Sequence, residues 1–290
     1  MPGVAVVTDT THYLPAEVVQ RHELRMVSLY VNWDGRTDRE SDLPDYDAFY
    51  DHMRKATVLP STSQPSVGDF LAVYEPLIEA GEDILSIHLS GGISGTVQAA
   101  GQARDALIER GIAPERIAVL DSDTGAAGHG LMAIGARNAI RDGADLAGAA
   151  EAARRVRHGM QILFAVDTLE YLRRGGRIGA AQAWVGSALK IKPILSIDRE
   201  ILAIERVRTA GRAFERLVGH LAALRDSGAD VFFVQHIQAH DVAERLAARG
   251  AEIYGRPPEF VSEIGPVIGA HVGPGLFGVT ALSREALGPV

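Results

Sequence analysis

The chain has 290 residues, enough for one large domain or two ordinary ones, and a hydrophobic content of 47% is enough to fill their cores. A net charge of −8 argues against nucleic acid as a partner, and the absence of cysteine excludes disulfides, thiolate zinc sites and cysteine nucleophiles. With no apolar run near the roughly 20 residues of a membrane span and no signal-peptide pattern in "MPGVAVVTDTTHYLP", the expectation is a cytoplasmic protein with at most transient membrane contact.

In chain order, "GVAVVTD", "LRMVSLYVNW", "DILSIHLS", "RIAVLDSD" and "QILFAVDT" read as strands of continuous Val, Ile and Leu, the pattern of strands buried on both faces. Helical runs lie between them: "DAFYDHMRKA", "VGDFLAVYEPLIEAG" and "TVQAAGQARDALIERG", the last stopped by a glycine. Alternation of this kind implies an α/β domain with a mostly parallel sheet, placed over residues 1–160. Beyond it the rhythm changes. "KPILSID" and "EILAIERVR" are separated only by "RE", as in a hairpin. A long helix in "RAFERLVGHLAALRDSG", a strand "ADVFFVQHI", a helix "DVAERLAARG" and closing strands in "EFVSEIGPVIGAHV" and "FGVTALS" follow. Residues 161–290 therefore read as an α+β domain. No linker separates the halves, and a cleft between packed domains is a common ligand site.

Within "LSGGISGTVQAA", Ser94 follows a strand and precedes a helix, the place of an N-cap, with Gly95 and Thr96 in the first turn. Three uses are open to such a corner. It caps its own helix, it binds an anion on unpaired amides and a hydroxyl, or Ser94 is a nucleophile. Gly92-Ile93-Ser94-Gly95-Thr96 misses the last glycine of a nucleophile elbow, and no Lys is present to make a P-loop. "GPGLFG", Gly273 to Gly278, matches a dinucleotide fingerprint only formally, since 12 residues remain after it.

"LPSTSQPSVGDF" is an extended, hydroxyl-rich stretch in which Ser66 caps the next helix. In "YLRRGGRIG", Arg173 and Arg174 suit a helix C-terminus, Gly175 stops it, and Arg177 extends the basic patch. No metal site is expected. His236 and His240 have i,i+4 spacing but straddle a strand end and a helix start, and Asp121 and Asp123 lack further acidic support.

Taken together, "VAVVTDTTHYLP", "TSQPS" at 62–66, "LSGGISGTVQAA" at 89–100, "VLDSDTGAAGHGLM" at 119–132, "DTLEYLRRGGRIG" at 167–179, "LKIKPIL" at 189–195 and "PVIGAHVGPGLFGV" at 266–279 resemble the DegV family in family order. The resemblance spans about 3–282 and implies a two-domain α/β fold with an acyl tunnel between the domains. It implies a carrier, not an enzyme, without cofactor. Its ligand would be a long-chain fatty acid such as palmitate or oleate. Its partner would be a fatty acid kinase that phosphorylates the presented carboxylate to an acyl phosphate for lipid synthesis. Carried over, Thr62, Ser94, Gly95 and His271 would hold the carboxylate, and Arg173, Arg174 and Arg177 would form the kinase-docking face. Gly91 stands where the family commonly shows a second serine. The competing expectation is a hydrolase or acyl transferase using Ser94.

Burying a chain of about 16 to 18 carbons at roughly 0.8 kcal/mol per CH₂ gives at least on the order of 12 kcal/mol before ordering costs. Hydrogen bonds to a charged head contribute about 1.5–3 kcal/mol each and mainly offset its desolvation. The tail should set affinity and the head-group residues should set position.

Overall fold

The computed structural model describes residues 3–43, 45–184 and 191–290. Its strands are β1 (Val4–Asp9), β2 (Arg25–Val27), β3 (Tyr30–Trp33), β4 (Arg36–Arg39), β5 (Ser61–Ser63), β6 (Asp83–His88), β7 (Ile117–Asp121), β8 (Gln161–Ala165), β9 (Lys192–Asp198), β10 (Glu200–Val207), β11 (Val231–His236), β12 (Val261–Glu263) and β13 (Phe277–Leu282). The α-helices are α1 (Ala16–Arg21), α2 (Asp47–Lys55), α3 (Val67–Glu79), α4 (Thr96–Glu109), α5 (Ala127–Arg141), α6 (Leu146–Gly159), α7 (Glu170–Arg174), α8 (Ala210–Asp226), α9 (His240–Tyr254), α10 (Pro266–Val272) and α11 (Arg284–Leu287).

A parallel sheet in the order β2-β1-β6-β7 forms from the first half of the chain. Every residue of β1 is buried because both faces are covered. Val4 and Val6 pack with α5 and α6, while Ala5 and Val7 alternate onto the face of α3 and α4. Ser66 caps α3 through a capping box with Asp69, as its position suggests.

From residue 161 onward the strands form a second sheet, β10-β9-β8-β13-β11-β12, in which only β11 and β12 run parallel. Leu163, Ile194, Phe232, Val234 and Val279 turn to the face covered by α8 and α9. Phe164, Leu195 and Ile201 turn the other way and share a core with Leu89 and Ile93 from the first half. The hairpin β9–β10 turns at Arg199, whose φ is 62°.

Two readings of the sequence are corrected. "LRMVSLYVNW" is not one strand. β2 joins the parallel sheet, whereas β3 joins β4 and β5 in a small antiparallel sheet. Between them the Leu29 backbone is taken by non-strand partners, its N–H donating to Thr10 Oγ1 and its carbonyl accepting from Glu40 N and Ser28 Oγ. "EFVSEIGPVIGAHV" is not a strand throughout either. β12 ends at Glu263 and α10 begins at Pro266, where the fixed φ of proline at the first helical position favours a helix start.

Candidate functional site

A cavity of about 350 Å³ lies between the second sheet and the loops of the first half. Leu89, Ile162, Phe164, Ile197, Phe233 and Leu276 contribute to its walls. Gln235 and Thr280 also line it, but their polar atoms are bound to protein. Gln235 Oε1 accepts from Ala127 N at 2.6 Å, and Thr280 Oγ1 donates to the Gln161 carbonyl at 2.9 Å. Among the described residues the interior is therefore chemically apolar apart from one polar group: Thr62, Ser63, Gln64, Ser94, Gly95, Arg177 and His271.

β5 carries Thr62, and its pairing with β3 places Val31 opposite Thr62. Thr62 Oγ1 lies 2.7 Å from Nε2 of His271, which α10 supplies from the other half of the chain. Burial and the nearby Arg177 guanidinium lower the His271 pKa to about 4, so the ring is neutral at pH 7 and carries one proton. Among the described residues its Nδ1 has no hydrogen-bond partner. Gly175 packs against that edge of the ring, where a Cβ would overlap Nδ1.

Ser94 is not the N-cap of α4; Gly95 is. Ser94 stands one residue earlier, and its Oγ accepts from Thr96 N at 3.3 Å and lies 2.8 Å from Thr96 Oγ1. The hydroxyl thus still satisfies an early helix amide from outside the cap position. The corner is held from two sides. Ser90 Oγ donates to the Arg199 carbonyl at 2.6 Å, and Gly91 N donates to both carboxylate oxygens of Asp121 at 3.1 Å. A Cβ at Gly91 would stand 2.7 Å from Asp121 Oδ2, so the close approach of that carboxylate suits glycine over serine here. A Cβ at Gly95 would overlap the carboxamide of Gln64. Gln64 was missed as a site residue although it lies inside "TSQPS". Its place between Thr62 and Ser66 was the available signal.

The three arginines separate. Arg173 and Arg174 are exposed at the end of α7, and both pair with Glu170, at 2.7 and 2.6 Å. Hydrogen bonds from Arg173 and Arg174 bring the exposed Glu170 carboxyl down to about 2. Arg177, also exposed, lines the cavity as well, its Nε donating to the Ile93 carbonyl at 3.2 Å and its Nη1 to the Gly175 carbonyl at 2.6 Å.

Ser94 has no histidine among its hydrogen-bond partners. A serine, histidine and aspartate do line up elsewhere. Ser86 Oγ is 2.6 Å from His88 Nε2, and His88 Nδ1 is 3.0 Å from Asp9 Oδ2. All three are fully buried and outside the cavity lining, and Ser86 accepts from Tyr74 OH. Burial alone would raise the Asp9 carboxyl. His129 and His88, with their hydrogen bonds, outweigh it and hold the group well below the usual carboxylate range. Asp9 Oδ2 also accepts from Leu89 N at 3.1 Å, so this network anchors the strand end that leads to Ser94.

The site defines an α/β protein in which the second sheet and the loops of the first half enclose an apolar cavity with a polar group of hydroxyl, amide, guanidinium and imidazole side chains. The chain belongs to the DegV family, whose model matches residues 3–284. A DegV domain-containing protein of Streptomyces coelicolor is 40% identical over 285 residues, covering 97% of this chain and 99% of that one. Among solved structures, a fatty acid-binding DegV family protein of Thermus thermophilus superposes with a TM-score of 0.87 at 33% identity, covering 97% of this chain and 99% of that one. DegV of Bacillus subtilis, described as a fatty acid binding protein, superposes at 0.88 with 32% identity, covering 98% and 100%. Of the segments quoted for the family, Leu189 and Lys190 lie outside the described residues. Among the described residues no helix is long and apolar enough to cross a membrane.

Proposed function

We propose that this protein binds a long-chain fatty acid in the cavity and presents its carboxylate to a fatty acid kinase in the cytoplasm. The observation that carries the reading is the clustering of Thr62, Ser94, Gly95 and His271, with Gln64 and Arg177 beside them, at one polar part of a cavity whose remaining walls are chemically apolar. Relatives from Thermus thermophilus and Bacillus subtilis described as binding fatty acids lend support.

In this reading His271 donates from Nε2 to Thr62 Oγ1, which leaves the threonine hydroxyl hydrogen for the carboxylate. Thr96 Oγ1 donates to Ser94 Oγ, which frees the serine hydrogen for the same anion. The Gly95 amide, at the N-cap of a 14-residue helix, adds a donor and the positive end of the helix dipole. Arg173 and Arg174 face the kinase, and Arg177 serves the cavity side. The division at 160/161 makes the cavity an interdomain tunnel. The chain supplies no nucleophile and no cofactor; it aligns a carboxylate oxygen for phosphoryl transfer by its partner.

Denaturing the purified protein and extracting it for mass spectrometry should release a long-chain acid, and delipidated protein should take up palmitate or oleate stoichiometrically. Neither acid bound in either format would remove the proposal. A serine-reactive probe should leave Ser94 unlabelled; stoichiometric labelling would restore the enzyme reading.

A further inference from the structure

The turn between β11 and α9 carries the i,i+4 pair His236 and His240, and the fold adds a third group that spacing alone did not supply. Parallel pairing of β11 with β12 sets His236 directly beside Glu263 at the carboxyl ends of both strands. One donor atom from each of His236, His240 and Glu263 lies within 4.8 Å of the other two, and His240 Nε2 is 4.0 Å from Glu263 Oε1. The two imidazole rings are 4.4 Å apart between centroids. We infer that these three residues form a binding site for a divalent transition-metal ion of the zinc type, with one or more positions left to water.

Two imidazoles and a carboxylate are a donor set suited to Zn²⁺, and bond lengths near 2.0–2.2 Å with tetrahedral angles ask for donor spacings of about 3.3 Å. His240 can close that gap because its side chain is 63% exposed, whereas His236 is buried and fixed by its strand. The supporting turn is built. Gln238 holds a φ of 50°, and its backbone N–H and side-chain Nε2 donate to Glu263 Oε1 at 3.1 and 2.9 Å. Gln238 is tied in turn to Arg54 at 2.6 Å and Asp47 at 2.9 Å. Hydrogen bonds of this kind orient a ligating carboxylate. The amino end of α9 carries positive partial charge that opposes a cation, so the affinity must come from the two imidazole donors, which suit a zinc-type ion better than a hard, oxygen-seeking one. Ile264 N donates to the His236 carbonyl at 2.7 Å, and Ile264 lines the cavity, so the metal would clamp one of its walls.

The test is titration of untagged, chelator-treated protein with Zn²⁺, followed by calorimetry, and with Co²⁺, followed by its visible spectrum. A single saturable equivalent per chain is expected. His240→Ala and Glu263→Gln should each weaken binding by at least about tenfold, with circular dichroism unchanged. His158→Ala, an exposed histidine on α6, should bind as the parent does. Failure of the parent to bind one equivalent, or binding unchanged in both His240→Ala and Glu263→Gln, would overturn the site.

Discussion

Thr62 meets His271 at 2.7 Å on the wall of a cavity, whereas Ser86 meets His88 at 2.6 Å beneath helices that leave neither residue any exposed surface. The second pair even has an aspartate on the far side of the imidazole, which the first lacks. Distances between side chains would rank the buried group as the catalytic one. Access reverses the ranking, because a hydroxyl already accepting from Tyr74 and sealed from every ligand has nothing to attack. The buried network fixes a loop, and the open pair faces what the loop surrounds.

The strongest way to break this contrast is Asp9→Ala. It strips the carboxylate from His88, from the Leu89 amide and from Thr11, leaving buried polar groups without partners. A loss of about 3–5 kcal/mol is expected in urea unfolding; a loss below about 1 kcal/mol would show that the network is not structural.

Next comes the tail against the head. Shortening the fatty acid by four methylenes removes about 3 kcal/mol, on the order of a hundredfold in Kd. Ser94→Ala, by contrast, should weaken binding by no more than about tenfold while most kinase turnover is lost. Normal turnover by Ser94→Ala would mean that the carboxylate sits elsewhere.

The pH dependence follows from several buried groups of opposite sign. Burial, with positive neighbours, lowers His12 to about 3 and His22, His220 and His271 to about 4. In the unfolded chain they take up protons near 6.5, so stability is lost as pH falls from about 6.5 toward 4. Glu40 runs the other way. Burial raises it from 4.5 to about 7, so the stability it contributes in the protonated form is lost as pH rises through that window. The histidines outnumber it, and the melting temperature should fall between pH 7 and pH 5. Glu40→Gln should steepen that fall; a flatter profile would contradict the assignment.

The smallest stability effect is expected from Arg173→Glu and Arg174→Glu, both exposed on α7. Unfolding free energy should move within about 0.5 kcal/mol and fatty acid uptake should not change. Capture of the kinase should weaken; unchanged capture would place the docking face elsewhere.

Much of this was legible in the chain. Continuous apolar runs such as "AVVTD" mark strands that must be covered on both faces, and the capping box at Ser66 and Asp69 is local chemistry that no distant contact overrules. Thr62, Ser94, Gly95 and His271 came from ordered motifs, and the fold brings them to one cavity. What misled was local reading where partners are remote. Leu29 gives its backbone to Thr10 and Glu40, which ends a strand that composition would continue. Arg177 looked like its neighbours Arg173 and Arg174 but turns to Ile93, a residue 84 positions away.

The sequence by itself determined most of the helices and strands, which faces must be buried and which hydroxyl and imidazole groups were available, because these follow from side-chain size, periodicity and local hydrogen bonding. Tertiary structure alone decided which of them share a space. Thr62 and His271 are 209 positions apart, and His236 meets Glu263 only through the register of two parallel strands. Such pairings depend on long-range packing of one sheet against another, and no window of neighbouring residues contains that information.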